Sequence, residues 1–481
     1  MKRSFYFSVI AVIVLVLGRG AARAGEESFT FTPFGKVFLY REEAQPRGIV
    51  LFISGDGGWN KGAVEMARTL SRSGAAVAGV DITRYLHNLE SSRERCMYPA
   101  ADFEALSKYV QKRLEVPRYK LPVLVGYSSG AALVYAVLAQ APPNTFRGGI
   151  SMGFCPTLTV RKPLCQGHGL IAKQSPDGKR TLFLPDGKLP TPWIVLQGEI
   201  DRVCSNEETR SFVRAIPEAN FVLLPHGEQG FSAEGNWLPE FKKAYGRLMD
   251  EEETTSAASG ALDDLPLVEV PAHGNRSDLF AVIISGDGGW AGLDREVGES
   301  LAQRGIPVVG LNSLQYFWTR RTPDGASEDL TRILRHYQHA WNKNHVLLIG
   351  YSLGADVLPF MANRLPSDLL DQVRGIVLLG PGRKTEFEFH LTEWLGGSGA
   401  RTAKPVLPEV EKLRGRKVIC MYGAEETASL CPLLGPGLAK VTPIAGGHHF
   451  GGQYGAISEI ILQEFETDRS AEKNGRDNRG K

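Results

Sequence analysis

No C-x-x-C pair and no histidine cluster occurs in the 481 residues, so no ligand framework for zinc is written into the chain, and no other cofactor motif is present. Charge of one sign is also lacking: 55 Lys and Arg stand against 53 Asp and Glu, so nothing in the overall charge points to a nucleic acid. Long apolar runs are missing too. Even the run Val9–Leu17 is short for a bilayer span. Apolar residues make up 43% and charged residues 22%, the balance of a globular chain able to bury a core.

That apolar run follows Met1-Lys2-Arg3 and precedes Ala22-Arg23-Ala24. A basic start, a short apolar stretch and an A-x-A site predict a secretory signal peptide over 1–24, cleaved before Gly25, with an uncleaved anchor as the alternative. Its removal takes away Lys2, Arg3, Arg19 and Arg23 and turns the small positive charge slightly negative. The expected location is the periplasm. Cysteine is scarce, six in all, but even in number, which behind a signal peptide points to disulfides in an oxidising compartment rather than to free thiols. Cys420 and Cys431 are the only possible pair in the second half. Cys96, Cys155, Cys165 and Cys204 allow three pairings, and Cys155–Cys165, which closes the shortest loop, is the expected one.

The chain contains its own copy. Gly48-Ile49-Val50-Leu51-Phe52-Ile53-Ser54-Gly55-Asp56-Gly57-Gly58-Trp59 recurs as Leu279-Phe280-Ala281-Val282-Ile283-Ile284-Ser285-Gly286-Asp287-Gly288-Gly289-Trp290. Ala76–Asp81 recurs as Pro307–Asn312, and Gly126-Tyr127-Ser128-Ser129-Gly130 as Gly350-Tyr351-Ser352-Leu353-Gly354. Units of this size are domains rather than solenoid repeats. Continuous apolar strands alternate with amphipathic helices, as at Ala281–Ile284, Leu293–Arg304, Pro307–Leu311, Ser327–Trp341, His345–Ile349, Gly375–Leu379, Lys417–Tyr422 and Ile457–Phe465. This pattern predicts two tandem α/β domains, each a mostly parallel sheet covered on both faces. The expected units are 25–249, a linker at 250–265 that is acidic and then small and polar, 266–467, and a polar disordered tail at 468–481.

Strand, G-x-S-x-G and helix in that order form a nucleophile elbow, whose tight turn pushes the serine hydroxyl out above the sheet. A serine becomes nucleophilic only beside a base, and the base needs a carboxylate to hold its tautomer. The second half supplies them in the order the fold requires. Ser352 is the nucleophile. Glu426 follows the strand ending at Gly423 and is the acid, with Glu425 as the alternative. His448, after Gly446-Gly447 and before His449-Phe450, is the base, with His449 as the alternative. The backbone N–H groups of Asp287 and Leu353 are the expected oxyanion donors, one in a glycine-rich turn and one after the serine. Asp356, four residues past Ser352, could contact the substrate or simply favour the helix start. Trp290, Tyr316, Phe317 and Trp318 could rim the site or belong to the core. In the first half Ser128 and Asp201 are present, but Gln229 stands at the base position and an amide cannot take a proton near neutral pH. His226 lies three residues too early, so that site is expected to be degenerate.

The doubled Ser-Gly-Asp-Gly-Gly-Trp, the stretch Gly350–Pro359 and Gly447-His448-His449-Phe450 resemble the bacterial virulence protein family named after VirJ over nearly the whole mature chain. The resemblance implies a periplasmic α/β-hydrolase fold without cofactor. It implies hydrolysis of lysyl-phosphatidylglycerol, an aminoacyl-phospholipid met at the membrane surface, and for its cationic lysyl group Asp356 is then the candidate carboxylate. The single-domain members resemble the second half. Two departures stand out: Glu426-Thr427-Ala428-Ser429 replaces a more acidic run ending in Asp-Ser, and Gln229 replaces a histidine. Another serine esterase or peptidase, or a non-enzymatic periplasmic chaperone or binding protein linked to secretion, are the competing readings.

Overall fold

The computed structural model describes residues 25–187, 189–225, 234–255, 262–274, 278–389 and 403–477. The predicted signal peptide lies outside them. Two sheets organise the chain. The first has eight strands in the order Gly25–Phe31, Gly35–Arg41, Ala75–Val80, Gly48–Ile53, Val123–Tyr127, Gly148–Met152, Trp193–Gly198, Ala219–Leu224. The second has seven, in the order Leu267–Val270, Val308–Leu311, Leu279–Ile284, His345–Tyr351, Val373–Leu379, Val418–Gly423, Lys440–Ile444. Pairing is parallel except where Gly25–Phe31, Gly35–Arg41 and Leu267–Val270 join antiparallel at an edge. The fold is that of α/β hydrolases, twice over.

The inner parallel strands are buried on both faces because helices cover both, which explains their unbroken apolar runs, while the parallel edge strands Ala219–Leu224 and Lys440–Ile444 are only partly buried. In the second half, Phe280, Val282, Leu348 and Leu378 face one packed layer. Ala281, Ile283, Leu347 and Val377 face the other. Side chains of adjacent strand residues point to opposite faces, so one run feeds both cores.

The repeated motif turns out to be a packing device as well as a loop. Trp59 lies where a Cβ on Gly79 would be, and Trp290 covers Gly310 in the same way, so glycine in the neighbouring strand makes room for each indole. Ser54 Oγ accepts from Ile82 N at 3.1 Å, and Ser285 Oγ from Ser313 N at 2.9 Å. Tyr85 donates to Asp102 at 2.8 Å, and Tyr316 to Asp329 at 2.6 Å.

Several expectations are corrected. Within the expected linker, the acidic run at 250–253 belongs to a helix, Glu234–Thr255, and Leu262 and Leu265 pack into the second core, while 256–261 lie outside the described residues. The last helix runs Tyr454–Asp477 rather than stopping at Phe465. Composition marks what cannot build a core, but a helix already nucleated by packed turns propagates through polar residues. The disulfides are Cys96–Cys165, Cys155–Cys204 and Cys420–Cys431. The last is the expected pair, while Cys155–Cys165 does not form. Shortest loop length is a poor guide because folding brings Cα atoms 69 residues apart in sequence to within 5.1 Å. None of the described helices is long and apolar enough to cross a membrane.

Candidate active site

The strand His345–Tyr351 lies at the centre of the second sheet, between Leu279–Ile284 and Val373–Leu379. At its carboxyl end Ser352 takes φ 52° and ψ −119°, a conformation side chains rarely adopt, and Ser128 takes nearly the same one at φ 54°. Two glycines permit the turn. A Cβ on Gly354 would collide with the Ile284 carbonyl, and one on Gly350 with the Gly354 carbonyl. The serine is half-buried and opens the helix Leu353–Ala362.

Three loops converge on it. His448 Nε2 lies 2.9 Å from Ser352 Oγ. His448 Nδ1 is bonded to Glu426 Oε1. Glu426 Oε2 accepts from Gly423 N at 2.8 Å, which fixes the carboxylate. Gly380, at φ 58°, has no side chain to separate this pair from the sheet: a Cβ there would sit 3.1 Å from the His448 ring. The bonding order hydroxyl, imidazole, carboxylate is that of a proton relay.

Among the alternatives, Glu425 is exposed and contributes only its backbone N–H, to Gly446 O at 3.1 Å. His449 turns away from the serine and meets Tyr351 Oη through Nδ1 at 2.9 Å. Burial holds the His449 imidazole below its ordinary pKa, with the His448 ring adding to the effect. The Tyr351 ring stacks on His448, with centroids 5.5 Å apart.

Gly286–Trp290 lies over the elbow, and a Cβ on Gly286 would be 3.5 Å from Ser352 Cβ. Neither the Asp287 nor the Leu353 N–H has a hydrogen-bond partner among the described residues. Asp287 and Asp356 both border the serine and interact electrostatically. Burial pushes the Asp356 carboxyl well above the usual range, the Gly382 N–H opposes this from 2.6 Å, and Asp287 adds to the rise. Neither carboxylate forms an ion pair among the described residues, although Asp287 acts on the His449 imidazole.

Trp290 is corrected from the rim to the core: it is 3% exposed, because its ring fills the space left by Gly310. Tyr316, Phe317 and Trp318 are likewise buried. Glycines at equivalent positions in the two copies, Gly79 and Gly310, were the signal for Trp290. Asp294, which sequence reasoning missed, is 1% exposed with an Oδ1 that has no hydrogen-bond partner among the described residues. Burial raises its pKa far above the usual carboxylate range, against bonds from the Gly286 and Asp294 N–H groups.

In the first half Ser128 Oγ donates to Asp56 Oδ2 at 3.1 Å, and Ser129 Oγ donates to the other oxygen. Asp201 organises its own loop, accepting from Gln197 Nε2 at 2.8 Å and Val203 N at 2.9 Å. Gln229 and His226 lie outside the described residues.

Fold and site together define an α/β-hydrolase-type protein whose second half carries a serine–histidine–glutamate array. The profile of the bacterial virulence protein (VirJ) family matches residues 48–152 and 278–469, more than half the sequence, and the chain belongs to that family. No curated protein matches it. Among solved structures, a dienelactone hydrolase from Anabaena variabilis is similar at 16% identity and TM-score 0.33, covering 48% of this chain and 98% of its own. Est1E from Butyrivibrio proteoclasticus is similar at 14% identity and TM-score 0.31, covering 48% and 100%. An alpha-beta serine hydrolase homologue from Coxiella burnetii is similar at 16% identity and TM-score 0.29, covering 48% and 95%.

Proposed function

We propose that the protein is a periplasmic serine esterase that hydrolyses an aminoacylated phospholipid, with lysyl-phosphatidylglycerol as the substrate. The observation that carries the hydrolase reading is the continuous bonding from Ser352 through His448 to Glu426. His448 takes the hydroxyl proton as Ser352 Oγ attacks the ester carbonyl, and Glu426 stabilises the imidazolium. The Asp287 and Leu353 N–H groups receive the oxyanion. The protonated imidazole then passes its proton to the departing glycerol oxygen, leaving lysyl on the serine. Water, deprotonated by the same histidine, releases lysine.

The cationic acyl group is supported by charge. Asp287 and Asp356 place two mutually repelling carboxylates beside the serine with no ion pair to either among the described residues, and Asp356 is held strongly in favour of its neutral form. An ammonium delivered by the substrate relieves that repulsion and restores the ionised form. Disulfides fit an oxidising compartment. The test is to incubate purified protein with vesicles containing lysyl-phosphatidylglycerol and measure free lysine, alongside fluorophosphonate labelling mapped by mass spectrometry. Lysine release that is lost in Ser352→Ala, with label on Ser352, is expected. Label without lysine release would point to another ester; no label at all would favour a binding protein.

A further inference from the structure

The loop that overlies the elbow, Gly286–Trp290, has little internal support. It is glycine-rich and closed by a turn bond, Gly289 N to Gly286 O at 3.0 Å, with Gly286 also accepting from Ser285 Oγ at 3.2 Å and donating its N–H to the Asp294 carboxyl. Both its ends are tied, directly or through one short segment, to the other half of the chain. At the far end, the Trp290 carbonyl accepts from Asn144 Nδ2 at 3.1 Å. At the near end, Ser285 is gripped by Ser313, which donates from Oγ to Ser285 O at 2.6 Å and from N to Ser285 Oγ. Asn312 Oδ1 lies 2.9 Å from where a Gly289 Cβ would be.

This supporting segment ends in Trp318, which the first half holds on three sides. Trp318 Nε1 donates to Val116 O at 2.7 Å. Lys112 Nζ donates to Trp318 O at 2.6 Å and stands 4.5 Å over the indole. The Tyr119 ring lies 5.1 Å from it. Trp318 is 2% and Leu314 4% exposed, so the contact is dry and its hydrogen bonds face little competition from water.

We propose that the first half is a built-in positioning element for the oxyanion loop of the second, acting through Asn144 and Lys112. The proposal rests on the serine esterase reading. A first half with a serine but no complete relay among its described residues still serves the reaction, by fixing the Asp287 N–H relative to Ser352. Asn144 and Lys112 are positioning residues: they donate to the Trp290 and Trp318 carbonyls and not to the relay.

Asn144 sits at φ 64°, a left-handed conformation that Asp and Gly also tolerate. Asn144→Asp and Asn144→Gly therefore remove the donor and keep the backbone, and Lys112→Met keeps the apolar stem while losing the N–H. Full-length variants are compared with wild type for lysyl ester turnover and for the rate of fluorophosphonate labelling at Ser352, each normalised to labelled sites. Since deleting one oxyanion donor costs about 10²–10³ in kcat, loosening one is expected to cost about tenfold. That loss should fall on kcat and on labelling rate, with KM within about twofold and the melting temperature unchanged, and Asn144→Asp/Lys112→Met should lose more than either change alone. Should Lys112→Met prove unstable, the two Asn144 variants decide. A labelled wild type matched within about twofold by these variants overturns the proposal alone. A wild type that takes no label overturns the esterase reading, and this proposal with it.

Discussion

Glu426→Gln is the sharpest probe of the site, because a neighbouring backbone group dictates how the new amide must lie. Gly423 N donates to Glu426 Oε2 at 2.8 Å. A glutamine keeps that bond only by presenting its oxygen to Gly423, which turns its NH2 toward His448 Nδ1. Nδ1 must then accept, so the imidazole proton moves to Nε2, the atom 2.9 Å from Ser352 Oγ. Protonated there, the ring cannot take the serine proton. In serine proteases the corresponding carboxylate-to-amide change lowers kcat about 10⁴-fold through the same tautomer switch, and a similar loss, roughly 5 kcal/mol of barrier, is expected here. Stability should change little, since the substitution conserves shape. Stopped-flow or labelling kinetics with a fluorophosphonate would measure the acylation step directly. Glu425→Gln, at an exposed position, should stay within about twofold of wild type. A Glu426→Gln enzyme retaining more than about a tenth of the rate, or equal losses from both changes, would refute the relay.

Asp356→Asn should lower kcat/KM for a lysyl ester about 10- to 100-fold, the worth of a charged hydrogen bond, and leave an uncharged acyl ester nearly unaffected; steady-state comparison of the two esters checks it. Ser128→Ala should leave lysine release within about twofold of wild type while Ser352→Ala removes at least about 10⁴, so the reverse ranking would move the chemistry to the first half. Asp294 keeps its proton in the folded protein to a higher pH than in the unfolded chain, because burial raises its pKa. Its ionisation therefore costs stability as pH rises from about 4, the unfolded value, toward the raised folded one. Asp294→Asn should raise the melting temperature at pH 7 and lose that advantage below about pH 4, read from melting curves across pH.

What the sequence determined were the features governed by local periodicity and by repetition. Unbroken apolar strands between amphipathic helices required a covered parallel sheet, the internal copy required two of them, and the glycines around Ser352 required the strained turn. The relay order serine, acid, histidine was also legible, since the fold sets it along the chain. Only the tertiary structure decided between neighbours: Glu426 over Glu425, His448 over His449, Cys96 rather than Cys155 for Cys165. It also sent Trp290 into the core. Adjacent loop residues share composition and sequence context, but their side chains leave the backbone in different directions, and what each one meets is set by strands and loops distant in sequence. The Gly423 N–H, the open face of Gly380 and the groove over Gly310 made those choices.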